Sequence, residues 1–174
     1  MNVIAQVRSG AQTGVDIGAL RAAKARGVAT GGVMPKGFRT LAGLKPEWAL
    51  EFGLSEHRKS GYPSRTRDNV VIADVTVRIA KNFMSRGERC TLAAVTKIGQ
   101  LPLDIRVRRL AGVLTADSED VVRTAEQLVQ LSRSLNRPII VNFAGNSEQG
   151  CAGIEALAER VVGVLLDCLD SAQA

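Results

Sequence analysis

Ser9-Gly-Ala-Gln-Thr-Gly-Val-Asp16 stands between an apolar run at residues 3–7 and a stretch in which small residues recur at helical spacing. The run has the length and the β-branched residues of a strand, and the stretch after the motif has the small-residue face of a helix. Thr13 is a suitable N-cap for that helix, and Asp16, three residues later, is a suitable capping-box acid. The motif therefore predicts a strand–loop–helix corner.

The two glycines of this corner leave the backbone free to turn and to lie close to a ligand. Unpaired amides at the start of the helix would form an anion site, which the helix dipole strengthens. A second interpretation is a corner that needs glycine for its geometry alone, because such corners are common in α/β folds. The motif is neither GxGxxG nor a Walker P-loop, so neither of those motifs supports the anion site.

Strand-like and helix-like stretches alternate along the rest of the chain. Strands are expected at residues 28–33, 75–80 and 138–143, and helices at residues 62–73, 90–96, 117–135 and 153–169. This alternation predicts an α/β fold of three layers, Rossmann-like, with a mostly parallel, doubly wound sheet and helices on both faces.

Two stretches do not fit this alternation. Residues 40–60 have no clear period, and a loop of that length often covers a site as a flap. Residues 101–115 are ambiguous, because their apolar positions suggest a strand while Arg106, Arg108 and Arg109 form a basic cluster. Such a cluster is more often a solvated sheet edge than a binding surface.

Length and composition indicate a single globular domain over residues 1–174, with 45% hydrophobic and 23% charged residues. The N-terminus has no signal-peptide pattern and no apolar run reaches membrane-spanning length, so we expect no membrane contact and a cytoplasmic location. Cys90, Cys151 and Cys168 are scattered and are expected to be reduced. His57 is the only histidine, which argues against a His-rich metal site or a Ser-His-Asp triad.

The net charge of +6 favours anionic partners without choosing among them. Aromatic residues make up only 3% of the chain, which leaves few platforms on which single-stranded bases could stack. A phosphorylated small molecule is therefore the favoured partner, and nucleic acid is the less favoured one.

Four residues outside the first corner are candidates for contact with such a ligand. Lys36 stands in a Gly/Pro-bounded loop at a strand end, where open α/β sheets bind ligands. Arg65 and Asn69 are four residues apart and share one face of the helix predicted at residues 62–73, whereas Arg67 points elsewhere. Thr91 lies near a second strand-to-helix corner, a weaker anion cradle. Each of these residues could instead belong to a solvated turn or helix face.

These motifs together resemble a known family. Ser9 to Asp16, Gly31-Gly-Val-Met-Pro-Lys-Gly37, and Tyr62 with Arg65-Thr-Arg-Asp-Asn69 are similar to the molybdenum-carrier family, the cytoplasmic YpsA-related branch of the SLOG superfamily. Val141-Asn-Phe-Ala-Gly-Asn-Ser-Glu148 resembles the Asn-x-Ala-Gly segment of that family. The superfamily also includes the lysine-decarboxylase-like cytokinin-activating proteins and DNA-processing protein A.

The resemblance implies a Rossmann-like domain that binds a nucleotide or a phosphorylated pterin such as molybdenum cofactor. Under this hypothesis the first loop binds the phosphate, and Lys36 and Arg65 neutralise its charge. Asp16, Asn69 and Asn142 orient hydroxyl groups of the ligand or the first loop. The predicted binding residues are Gly10, Gln12, Thr13, Gly14, Asp16, Lys36, Arg65, Asn69, Thr91, Asn142 and Gly145.

The sequence departs from the family at the second corner, where a Gly-Gly-Thr-like turn is replaced by Gly87-Glu-Arg-Cys-Thr91. Arg89 and Cys90 would crowd a phosphate that glycine would admit, so a different or differently held ligand is expected there. The chain also lacks the Pro-Gly-Gly-x-Gly-Thr-x-x-Glu motif of the cytokinin-activating phosphoribohydrolases, and that activity is not carried over.

Two other classes of function stay open. A hydrolase acting on a nucleotide derivative would need a carboxylate to activate water, for which Asp16 and Asp74 are the candidates. Single-stranded nucleic-acid binding is suggested by the charge and by the kinship with DNA-processing protein A. Turnover of nucleotides separates the first class from simple binding, and salt-dependent binding of oligonucleotides tests the second.

The last predicted helix suggests self-association. Its apolar residues cover more than one stripe, so docking by one face would leave part of the set exposed. Superfamily relatives commonly form dimers, and a homodimer or higher homo-oligomer is therefore expected. Burial on both sides by the same chain is the alternative. The polar residues 170–174 are expected to fray.

Overall fold

The computed structural model describes residues 2–171. Its strands are β1 (Ile4–Arg8), β2 (Thr30–Met34), β3 (Arg39–Thr40), β4 (Gly43–Leu44), β5 (Leu54–Glu56), β6 (Val75–Ala80), β7 (Leu103–Leu110), β8 (Val113–Ala116) and β9 (Ile139–Gly145). Its helices are α1 (Val15–Ala25), α2 (Pro46–Phe52), α3 (Tyr62–Ile72), α4 (Arg86–Lys97), α5 (Ser118–Leu135) and α6 (Ile154–Ser171).

Seven strands form the main sheet in the order β5-β2-β1-β9-β6-β7-β8, and every neighbouring pair is parallel except β7 with β8. From β1 the chain builds outward to β2 and β5, and from β6 it builds outward in the other direction to β7 and β8. The last strand, β9, lies between the two halves. The prediction of a mostly parallel, doubly wound Rossmann-like sheet is confirmed, and the reversal of strand order falls at its centre.

The helices form two outer layers. On one face α6 packs against both α1 and α5, and on the other α3 packs against α4. The core between them is made of β-branched strand residues and small or apolar helix residues, such as Val7, Val77, Val141, Ala19 and Leu165. The continuous burial of β6 reflects cover on both faces, as parallel strands require.

The ambiguous residues 101–115 form the hairpin of β7 and β8. Ala111 and Gly112 both have positive φ, 46° and 82°, as a two-residue hairpin turn of this hand requires. Within β7, buried Ile105 and Val107 alternate with more exposed arginines, which explains why the sequence carried two conflicting signals. Arg106 binds the buried carboxylate of Asp120, so the basic cluster belongs to a surface ion-pair network.

Helix boundaries confirm some predictions and correct others. Helix α1 ends at Ala25, and Gly27 follows with a positive φ of 69°. The amide of Val28 donates to the Ala23 carbonyl and that of Gly27 donates to the Lys24 carbonyl. Its N-cap is Gly14, not Thr13. Helix α4 begins at Arg86, four residues before the predicted start, because Ser85 caps it by accepting from the amide of Glu88.

Helix α6 corrects the argument for self-association. Five of its six apolar residues near the C-terminal end are buried within the same chain: Val161, Val162, Leu165, Leu166 and Leu169. Only Val164 of that set is exposed, at 51%. Of the residues predicted to fray, 170 and 171 are the last residues of α6, and residues 172–174 lie outside the described part of the chain.

The stretch from residue 40 to residue 60 is ordered into the small hairpin β3–β4, helix α2 and edge strand β5. Leu41, at the tip of the hairpin, accepts from Gln149 and donates from its amide to Gln12 Oε1 at 2.7 Å. The predicted flap is thereby attached to the first loop. Within residues 2–171, no helix has the length and apolar character needed to cross a bilayer.

Candidate ligand-binding site

A cavity of about 590 Å³ opens at the carboxyl ends of β1, β9 and β6. Its wall is formed by the first loop, helix α3, the first turns of α4, the segment after β9, and Leu41 of the β3–β4 hairpin. Open α/β folds bind ligands at this position, where the strand order reverses at the carboxyl ends of the strands. The volume is within the range of small-molecule sites.

The cavity brings together eight of the eleven predicted binding residues: Gly10, Gln12, Asp16, Arg65, Asn69, Thr91, Asn142 and Gly145. They come from four separate parts of the chain. Their side chains and amides, however, are largely committed to one another, and this changes the role that each can have.

The amides of the first loop do not form a free anion site. Those of Gln12 and Thr13 donate to side-chain oxygens of Asp16 and Gln12, at 3.2 and 3.0 Å. The amide of Gly14 donates at 3.2 Å to Glu155 Oε2 from α6. Two carboxylates and an amide oxygen of the protein itself thus occupy the start of α1, where the sequence predicts a phosphate. The physical reason is that an internal carboxylate satisfies the helix dipole as well as a ligand would.

Arg65 and Asp16 form a buried ion pair across the cavity wall. Arg65 Nη1 donates to Asp16 Oδ2 at 3.0 Å, and both side chains are nearly inaccessible. Burial raises the pKa of Asp16, while Arg65 and the amides of Gln12 and Gly10 oppose that rise. The guanidinium lies directly over Gly10, since a Cβ there would be 1.3 Å from Nη1. Gly10 is therefore required by Arg65, and Arg65 is already neutralised by Asp16.

Asn69 shares the cavity-facing side of α3 with Arg65, as the helical spacing predicted, and Arg67 is exposed elsewhere. Its amide group is bound on both sides by β2. Asn69 Oδ1 accepts from the Val33 amide at 2.9 Å, and Nδ2 donates to the Val33 carbonyl at 3.0 Å. Asn69 thus fixes α3 to β2 while it lines the cavity.

The three remaining predicted binding residues lie outside the cavity lining. Thr13 has a buried hydroxyl with no hydrogen-bond partner among the described residues. Gly14 has a φ of +98° and packs against the segment after β9, where a Cβ would be 2.4 Å from the Asn146 carbonyl oxygen. The Lys36 side chain is exposed on a separate loop.

Asp74 lies at the amino ends of the strands, just before β6, and so at the opposite side of the sheet from the cavity mouth. Its carboxylate accepts hydrogen bonds from Arg137 and from the amide of Ile140, the second residue of β9. It therefore fixes the beginnings of two strands and is too far from the cavity to activate water there.

The second corner has the open amides that the first one lacks. Arg86 and Gly87 are the first two residues of α4, and within residues 2–171 their amides donate to no acceptor. A Cβ at Gly87 would meet no atom within 4 Å, so the approach is unobstructed. Thr91 lies one turn further on, and its hydroxyl donates back to the Gly87 carbonyl at 3.2 Å.

Glu88 is a cavity residue that the sequence analysis missed. It is 1% exposed, and no donor among the described residues binds its carboxylate. The nearest cation is Arg78, whose Nη1 is 3.9 Å from Glu88 Oε2. Burial, reinforced by Asp16 and Asp104 and opposed by Arg78, raises the pKa of Glu88 to about 7. The Ser-x-x-Glu spacing of Ser85 and Glu88, a capping-box pattern, was the available signal.

Two asparagines shape the side of the cavity formed by β9. Asn142 donates from Nδ2 to Thr76 Oγ1 at 3.2 Å. Asn146, which was not among the predicted residues, accepts from the amides of Lys81 and Asn82 at 2.9 and 3.0 Å and donates back to the Asn82 carbonyl. Asn146 thus joins the segment after β9 to the loop that leads into α4.

The profile of the circularly permutated YpsA SLOG family matches residues 7–166, which include every segment of this cavity. The chain belongs to that family. This confirms the SLOG resemblance that the glycine-rich motifs predicted.

A solved structure of similar fold is described as "Putative molybdenum carrier protein" from Syntrophus aciditrophicus SB. It is 25% identical in sequence, with a TM-score of 0.77, and the match covers 95% of this chain and 96% of that one. No curated protein matches the sequence. Among residues 2–171 of this SLOG family member, no group of three or more His, Cys, Asp or Glu side chains is placed to hold a metal ion.

Proposed function

We propose that this SLOG protein binds a phosphorylated small molecule, nucleotide-like or a pterin phosphate, in the cavity at the centre of the sheet. The observation that carries the proposal is the open start of α4. Two unpaired amides, an unobstructed glycine and the Arg86 side chain adjoin a cavity of about 590 Å³. Such a helix start favours an anion through its amides and its dipole.

This proposal moves the phosphate from the first corner, where the sequence predicted it, to the second. The first loop then has a structural role, because its amides bind Asp16, Gln12 and Glu155. The organic part of the ligand would lie against the apolar residues of the lining, which include Leu41, Tyr62 and Phe143.

The description of the Syntrophus protein supports molybdenum cofactor, a pterin phosphate, as one candidate cargo. A nucleotide is the other candidate, and both place one phosphate beside a flat heterocycle. A cytoplasmic location, and a homodimer or higher homo-oligomer, stay predictions. Nucleic acid remains the less favoured partner, since few aromatic residues are available to stack bases.

The hydrolase hypothesis loses both of its sequence-derived candidates. Asp16 is bound by Arg65 and two amides, and Asp74 lies at the amino ends of the strands, away from the cavity. We therefore propose binding without assigning turnover, and the binding experiment includes a check for ligand breakdown.

The proposal is tested by native mass spectrometry of the purified protein, followed by calorimetric titration with nucleoside monophosphates and pterin phosphates. Arg86→Ala should weaken binding about 10-fold or more, the loss expected for one charge-assisted hydrogen bond. Arg89→Ala is the matched control, because Arg89 is exposed on the same helix turn and does not line the cavity. Equal affinities for wild type and Arg86→Ala would exclude this phosphate position.

A further inference from the structure

The buried Glu88 carboxylate receives no hydrogen bond from the described part of the chain. Its side chain is 2% exposed, it lines the cavity, and no hydrogen bond to either oxygen comes from residues 2–171. Buried polar groups in folded proteins are almost always hydrogen-bonded, and a charged one without a partner is costly. The arrangement is one that a donor from outside the chain would complete.

The charged groups around Glu88 are already committed to other partners. Arg78 of β6 donates from Nε to Asp104 of β7 at 2.8 Å and from Nη1 to the main-chain carbonyl of Glu88 at 3.3 Å, and its guanidinium stacks on Phe83. It therefore offers the Glu88 carboxylate only a long ion pair. Asp16 of α1 and Asp104 of β7, the two acidic groups nearby, are paired with Arg65 of α3 and with Arg78.

We propose that Glu88 is a ligand-binding residue that accepts hydrogen bonds from the sugar hydroxyl groups of a phosphorylated ligand. This inference rests on the proposed function, which places the phosphate at the amides of Arg86 and Gly87. Glu88 follows Gly87 in α4 and lines the same cavity, so we place beside it the part of the ligand that is joined to the phosphate. In a nucleotide that part is the ribose, whose hydroxyl groups are bound by acidic residues in other dinucleotide-binding folds. The inference thus favours a nucleotide or sugar phosphate over a pterin phosphate.

The acceptor strength of Glu88 should depend on pH. Burial raises the pKa of this carboxyl to about 7 against the attraction of Arg78, with Asp16 and Asp104 adding to the rise. An ionised carboxylate accepts a stronger hydrogen bond than a neutral acid. The preference for a hydroxylated ligand is therefore expected to be larger at pH 8 than at pH 6. A ribonucleotide and its 2′,3′-dideoxy counterpart carry the same phosphate, so the pH dependence of phosphate binding cancels in the ratio of their affinities.

The test compares each of AMP, GMP, CMP and UMP with its 2′,3′-dideoxy counterpart by calorimetric titration. Wild type should bind the ribonucleotide about 10- to 100-fold more tightly, as expected for hydrogen bonds to a charged acceptor. Glu88→Gln should reduce that ratio to about 3-fold or less. Glu119→Gln, an exposed glutamate in the first turn of α5, should keep the wild-type ratio. Thermal melting checks that both variants are folded.

The outcomes separate this inference from the proposed function. If Glu88→Gln keeps the full ratio, or if the wild-type ratio is near one or falls with rising pH, Glu88 does not bind the sugar and only this inference is wrong. If a pterin phosphate binds while no nucleotide does, the proposed function stands and this inference fails. If neither class binds the wild-type protein, both fail.

Discussion

At the scale of single residues, Gly10 and Arg65 depend on each other. The guanidinium occupies the space that any Cβ at position 10 would need, and it reaches Asp16 across that space. The sequence suggests that Gly10 leaves space for a phosphate, but that space is filled by the Arg65 side chain. The same residue type at position 87 has open space around it, and that is where we place the ligand.

Gly10→Ala should displace Arg65 and leave Asp16 buried without its partner. We expect a loss of about 3 kcal/mol in the free energy of unfolding, the magnitude for breaking a buried ion pair. Urea denaturation measures it. In the background of Arg65→Ala, the same Gly10→Ala change should cost much less, because the clash is gone. Additive effects of the two substitutions would contradict this coupling.

Glu88 should make the protein less stable as pH rises towards neutrality. Its folded-state pKa, about 7, is above its ordinary value of 4.5, so the folded state holds the proton more tightly. The stabilisation is complete below about pH 4.5 and is lost as pH rises through 7, with a total of about 3 kcal/mol. Glu88→Gln should remove this dependence. Denaturation at pH 5 and pH 8 compares the variant with wild type and with Glu119→Gln, and parallel behaviour of all three would refute the assignment.

At the scale of elements, helices α1 and α6 fix each other at their N-terminal ends. Glu155, in the first turn of α6, accepts from the Gly14 amide at the start of α1 and also pairs with Arg21. Glu148 in turn accepts from the amides of Gly153 and Glu155 at the start of α6. Two internal carboxylates thereby take the places that anionic ligands fill at other helix starts.

Glu155→Ala should destabilise the protein by about 1–2 kcal/mol, because it removes an acceptor from the start of α1 together with its ion pair to Arg21. Glu159→Ala, one turn further along α6, is the control and should cost about 0.5 kcal/mol or less. Hydrogen exchange should show the extra opening in the first turn of α1. A loss that is equal for the two variants would mean that Glu155 has no capping role.

At the scale of the whole molecule, the sheet order places the cavity where its two halves diverge. Strands β1 and β6 lead outward in opposite directions, and β9 fills the gap between them. The loops that follow β1 and β6 are therefore drawn apart, and the cavity lies between them. The last strand of the chain completes the site through Asn142 and Asn146.

We expect the protein to sediment as a homo-oligomer at low micromolar concentration with reducing agent present, as the family resemblance predicts. We do not expect the apolar residues of α6 to form the oligomer interface, because all of those near its C-terminal end except Val164 are buried within one chain. Val164→Lys should therefore leave the sedimentation coefficient unchanged. Dissociation caused by that substitution would show that α6 contributes to the oligomer interface. A monomeric wild-type protein would contradict the prediction of an oligomer.

The sequence alone determined the elements whose signals are local. The small-residue face of α1, the apolar run of β6 and the acidic start of α5 were all predictable, because burial on a sheet face and helix capping leave periodic patterns. The shared face of Arg65 and Asn69 followed from helical spacing alone. The family could also be predicted, since its motifs lie in short continuous segments.

Only the tertiary structure decided what those residues contact. Arg65 and Asn69 are far apart in sequence from their partners, and nothing local says that they bind Asp16 and Val33. Glu88 is an ordinary capping-box glutamate by spacing, and it becomes a carboxyl with a raised pKa only because Arg78, Asp104 and Asp16 come from other elements. Burial and charge depend on distance in space, and a single sequence gives only distance along the chain.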